Sequence, residues 1–249
     1  MSLKDEIAVN FETFNSVWRQ EANATLVALD SKKSIFSESY ARITSFQAWR
    51  TSVIEPSLDV ESAAFFFEAQ NDLLVSHCLA HLGSFRQALK SLRSCIENVL
   101  FTIYYKDHPV EFQKWEAGAH KLGFSELATY LSSHPKLIGS SETNNGIAQL
   151  KEEYSTLSKA VHSSAKQFRM TTDLAENRLW INDGAAVSKW ATRENATIRA
   201  LNLLLLYFFS SSLQGAANIN LRRVIAITLP KTRFAQIKAD LKVNLDFKE

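Results

Sequence analysis

Apolar residues return every three or four positions through nearly every long segment of this chain, and little interrupts them. Leu3, Ile7, Phe11, Phe14 and Trp18 follow that spacing, as do Tyr40, Ile43, Phe46, Trp49 and Val53. It is the repeat of a single helix face. Seven glycines and four prolines are all that 249 residues offer for tight turns, too few for sandwiches, barrels or meanders. Neither G-x-G-x-x-G nor G-x-x-x-x-G-K-[ST] occurs, which removes the glycine-rich phosphate loops. A hydrophobic fraction of 46% at a formal charge of +2 argues against disorder. The predicted class is all-α.

The pattern predicts helices over 2–30 and 36–54, the second ended by Pro56. Ser57 is expected to cap a third helix that runs to Leu82, with Gly83 as its left-handed C′ residue. Ser84 and Gln87 read as a capping box for a fourth helix over 85–106, so the third and fourth should form an antiparallel hairpin. Short helices are expected at 110–117 and 125–132, then a longer one at 147–162. An irregular stretch over 163–183 precedes a long helix at 185–213, and two further helices at 220–228 and 231–245 close the chain. The run Leu201–Phe209 is half the length of a membrane span and reads as a helix buried on all sides. No clean boundary is visible beyond an N-terminal helical pair, 1–56, set against 57–249.

Two cysteines, Cys78 and Cys95, cannot build a disulfide framework. The opening MSLKDEIAVNF lacks the apolar core of a secretory signal. A cytoplasmic protein with no membrane association is expected. The last thirty residues carry seven basic against three acidic groups, most simply a solvated basic face.

His77 and His81 share a helix face four residues apart, but Cys78 stands where a metalloprotease carries its Glu. Packed histidines are the plainer reading, a metal-dependent helical enzyme the alternative; neither metal nor cofactor is expected. Two other segments carry more. In HLGSFRQALKSLRSCIENVLFTIYY, Arg93 and Glu97 lie one turn apart beside an apolar stripe. In EEYSTLSKAVHSSAKQF, Tyr154, Ser158 and His162 recur every four residues and form one ridge.

These segments, LR-x-x-I-E on one helix and Y-x-x-L-S-x-x-V-H on a later one, resemble the HEPN superfamily. More narrowly, they resemble uncharacterised bacterial HEPN-like proteins near phage-defence genes. The resemblance covers roughly 81–168. It implies an up-and-down helical bundle, here with additional N- and C-terminal helices, that forms a homodimer. It also implies either a metal-independent endoribonuclease of a defence or toxin–antitoxin system, or a non-catalytic scaffold that binds a protein partner or antitoxin. His162 matches the family's terminal histidine. The family's arginine, four to six residues earlier, is absent, and Lys159 is the nearest cation. Arg93 is expected to replace it across a groove between the two helices. In that scheme His162 moves the proton of an RNA 2′-hydroxyl, and Arg93 or Lys159 meets the charge developing on phosphorus. Tyr154 and Ser158 orient imidazole or phosphate, with Glu97 alongside on the binding face. The dimer is expected around the 58–106 hairpin and the helix ending at His162.

Overall fold

The computed structural model describes residues 1–162, 171–172, 176–177 and 180–247. Its first helix, α1 (Leu3–Leu29), begins with a capping box in which the Ser2 hydroxyl accepts from the Asp5 amide and the Asp5 carboxylate accepts from the Ser2 amide. A 3-10 turn, Asp30–Lys32, leads into α2 (Lys33–Trp49). One π turn, Arg50–Ile54, and the single turn α3 (Glu55–Ser57) follow. The wider π turn lets Trp49, Val53 and Ile54 all face the core, each with no exposed surface.

The expected hairpin is present as α4 (Val60–His81) and α5 (Phe85–Asp107). Gly83, at φ +73°, closes α4 in a Schellman motif: its N–H donates to Ala80 O and the Ser84 N–H to Leu79 O. Both expected caps differ. Asp59 caps α4 in place of Ser57, because Leu58 is extended and the carboxylate behind it reaches the Ser62 amide at 2.7 Å. Ser84 makes no side-chain cap, since the backbone leaving Gly83 turns its ψ to 57°.

After α6 (Pro109–Glu116) and α7 (Phe124–Ser132) come α8 (Ile147–Val161) and α9 (Gly184–Phe208). The expected irregular stretch over 163–183 lies mostly outside the described residues; within it, Thr171–Thr172 pairs antiparallel with Glu176–Asn177. The chain then forms a 3-10 turn, Ser210–Leu213, and two last helices, α10 (Ile219–Thr228) and α11 (Phe234–Leu241). The final helix is shorter than expected. Lys242 adopts φ +60° and ends it, and the chain continues without helix, with Val243 and Leu245 buried between exposed Lys242, Asn244 and Asp246. That is the period-two burial of a strand, and VNLDF already alternates that way.

Helix α5 lies beside α4, α8 and α9, while α2 packs on α4, α9 and α10. One core joins Phe46, Trp49, Phe66, Leu92, Ile96, Leu157, Trp190 and Phe208. Leu201–Phe209 is buried on all sides, and among the described residues no helix is long and apolar enough to cross a membrane. The N-terminal pair therefore divides: α2 is core, whereas α1 buries only Ala22, Thr25 and Leu29 at its end.

Candidate functional site

Helices α5 and α8 each bury an apolar stripe, Leu92, Ile96 and Val99 on one and Leu150, Leu157 and Ala160 on the other. Packing stripe to stripe aligns the polar residues that edge them. Arg93 Nε donates to Ser158 Oγ at 3.2 Å, and its terminal nitrogens reach the Glu97 carboxylate at 3.1–3.3 Å and the Tyr154 hydroxyl. The Tyr154 hydroxyl in turn donates to Glu97 Oε1 at 2.7 Å. The guanidinium carbon also lies 4.5 Å from the centroid of the Tyr154 ring, which stacks on Phe124 at 3.8 Å and 7°. Burial first, then the bond to Glu97, pushes the Tyr154 phenol up to about 12. It therefore stays protonated and keeps donating.

Four of the six expected site residues thus meet in one network: Arg93, Glu97, Tyr154 and Ser158. The other two lie beside it. Lys159 and His162 are exposed, and neither makes a side-chain hydrogen bond or ion pair among the described residues. His162 is the residue that ends α8, one helical turn beyond Ser158, a rise of roughly 6 Å. Ser163 and Ser164, which follow His162 in the sequence, lie outside the described residues. Arg86 is a neighbour the sequence reading missed. It donates to the Ala160 and Val161 carbonyls at 3.1 and 3.3 Å, so a cation closes the negative end of α8. It stands two helical turns before Arg93, and that spacing was the available signal.

A second polar cluster lies deeper, where α2, α4 and α9 meet. Glu194 is 1% exposed. Arg42 donates to its Oε2 through Nε and a terminal nitrogen, both at 2.8 Å, and Ser39 donates to Oε1 at 3.0 Å. His77 Nδ1 stands 3.0 Å from the same serine oxygen. When Glu194 is ionised the serine proton is committed to it, and His77 then supplies the proton of that bond. Burial raises Glu194 to about 7 even though Arg42 pulls it down. Burial and the neighbouring His81 lower His77. His81 stacks on Phe36 at 4.0 Å. The two histidines are thus occupied with Ser39 and Phe36, and among the described residues no group of three or more His, Cys, Asp or Glu side chains could hold a metal. The sequence signal for this cluster was a carboxylate, Glu194, on the stripe Val187, Trp190, Ile198, Leu201, all of them buried.

Two further contacts hold the framework. Glu153, buried on α8, takes Arg193 of α9 at 3.0 and 3.2 Å. Asn202 accepts from the Trp49 indole at 2.7 Å and donates to Ser45 and Thr228, binding α2, α9 and α10 together. No protein-family model, curated protein or solved structure matches this chain.

Proposed function

We propose that this chain is a HEPN-like helical module of a bacterial phage-defence or toxin–antitoxin system that acts by binding a protein partner rather than by cutting RNA. The observation that carries this reading is the closed circuit around Arg93. Phosphoryl-transfer catalysis needs a cation turned toward the developing negative charge. Here the guanidinium is spent on Glu97, Tyr154 and Ser158, and the Glu97 carboxylate would repel an incoming phosphate. A network of this kind fixes α5 against α8 and shapes the face that they share.

One observation favours the second reading, metal-independent RNA cleavage. His162 is exposed at the edge of that face with Lys159 near it, as a proton-transferring histidine requires. A single comparison separates the two. Purified wild type, His162→Ala and Arg93→Ala are incubated with total RNA in the presence of a chelator. The binding reading expects intact RNA in every lane, with Arg93→Ala losing about 1–2 kcal/mol of stability. Cleavage by wild type that disappears in His162→Ala would establish the nuclease.

A further inference from the structure

Helix α1 starts at a fully made cap yet packs on the bundle only near its end, where Ala22, Thr25 and Leu29 are buried. Before that point it presents a continuous apolar seam. Leu3, Ile7, Phe11 and Phe14 are each more than half exposed, and Trp18 is partly exposed. Trp180 donates to the Trp18 carbonyl at 3.3 Å at the bundle end of this face. Among the described residues Leu3, Ile7, Phe11 and Phe14 stay in solvent, and a helix without tertiary packing is marginal in water. The seam asks for a partner.

The intervals name its kind. Ile7, Phe11, Phe14 and Trp18 are spaced four, three and four apart, the alternation of d and a positions in a coiled coil, which suits another helix. In that register Lys4 and Glu21 occupy the next a and d positions at the two ends. The flanking e and g positions, Leu3, Ala8, Asn10, Asn15, Val17 and Ala22, bear no charge. We propose that α1 pairs antiparallel with α1 of a second copy of this chain. Antiparallel helices match a with d layers, so Phe11 meets the partner's Phe14 and Ile7 meets the partner's Trp18. The same register sets Lys4 against the partner's Glu21 at both ends of the seam. A parallel pair would instead stack lysine on lysine and glutamate on glutamate, and like charges so placed are unfavourable. The opposed helix dipoles also favour the antiparallel arrangement. The two bundles then stand at opposite ends of a rod about 28 Å long, joined through a seam separate from the α5–α8 face, around which the family resemblance places a dimer. This pairing is independent of whether that face cuts or binds.

Light scattering of the full chain at micromolar concentration tests it, and a particle of two 28.1 kDa chains is expected. Phe11→Glu/Phe14→Glu should give single chains in which the bundle still melts cooperatively, because both side chains lie in solvent away from it, while helicity falls only by the unsupported start of α1. Lys4→Glu should weaken the dimer about tenfold, and Lys4→Glu/Glu21→Lys should restore it, since the swap re-forms both end pairs. A monomeric wild type overturns the proposal, as does a dimer indifferent to the phenylalanine substitutions or a double charge swap that fails to rescue. Monomers that sediment with phosphatidylcholine/phosphatidylglycerol vesicles through the same residues would assign the seam to a membrane surface instead.

Discussion

Replacing Arg42 with methionine should alter how the protein's stability responds to pH, beyond any uniform loss. In the native fold the Glu194 carboxyl stands at about 7, against an ordinary 4.5, because burial outweighs the pull of Arg42. The folded state therefore holds this proton more tightly than the unfolded chain does. Its stabilising effect is complete below the unfolded value and is lost as pH rises through about 7. At about 1.4 kcal/mol per unit, the loss is roughly 3 kcal/mol across that interval. Above it the wild-type profile flattens, since Glu194 is then ionised in both states. In Arg42→Met the opposing charge is gone, so the carboxyl rises further and the decline continues past pH 7. The variant should fall behind wild type by a further ~1.4 kcal/mol for each pH unit above about 7 until its own carboxyl ionises. His77, the other titrating group at this junction, is lowered. Its effect runs the opposite way, with stability lost as pH falls below its ordinary 6.5, so it leaves this window clear. Urea unfolding at several pH values gives both curves, and Glu194→Gln, which cannot ionise, should abolish the wild-type decline below pH 7. Parallel profiles for wild type and Arg42→Met from neutral to alkaline pH would refute the reasoning.

Gly83→Ala should destabilise by more than about 1 kcal/mol, because φ is +73° and a Cβ would lie 2.6 Å from Ile181 O; thermal melting measures it. Asn202→Leu strands the fully buried indole N–H of Trp49, which should cost about 1–3 kcal/mol in chemical denaturation despite the added apolar surface. Tyr154→Phe keeps the stack on Phe124 but removes the bond to Glu97. A loss of about 1 kcal/mol is expected, and a neutral result would mean that the hydroxyl's bonds to Glu97 and Arg93 add nothing to the stability of this contact.

Helix faces are written locally, in intervals of three and four, so the α4–α5 hairpin, the Gly83 stop and the buried helix over Leu201–Phe209 could be read without coordinates. The pairing of α5 with α8 was legible for a related reason: residues that edge an apolar stripe must meet when stripes pack, and Arg93 did meet Tyr154 and Ser158. What that meeting would do was not legible. A spacing rule places Glu97 one turn from Arg93 but does not say that Tyr154 will also close on both, leaving the cation occupied and His162 outside the circuit. Arg42 and Glu194 are 152 residues apart, and each alone reads as a charge on an otherwise apolar face. Only the crossing of α2 over α9 removes water from both and lifts the carboxyl to about 7. The seam of α1 reverses the case. Its periodicity predicted a buried face, and the fold left most of it in solvent. Periodicity marks which face is apolar; three-dimensional packing decides whether it is covered and by what, because burial and charge depend on whatever arrives from the far side of the contact.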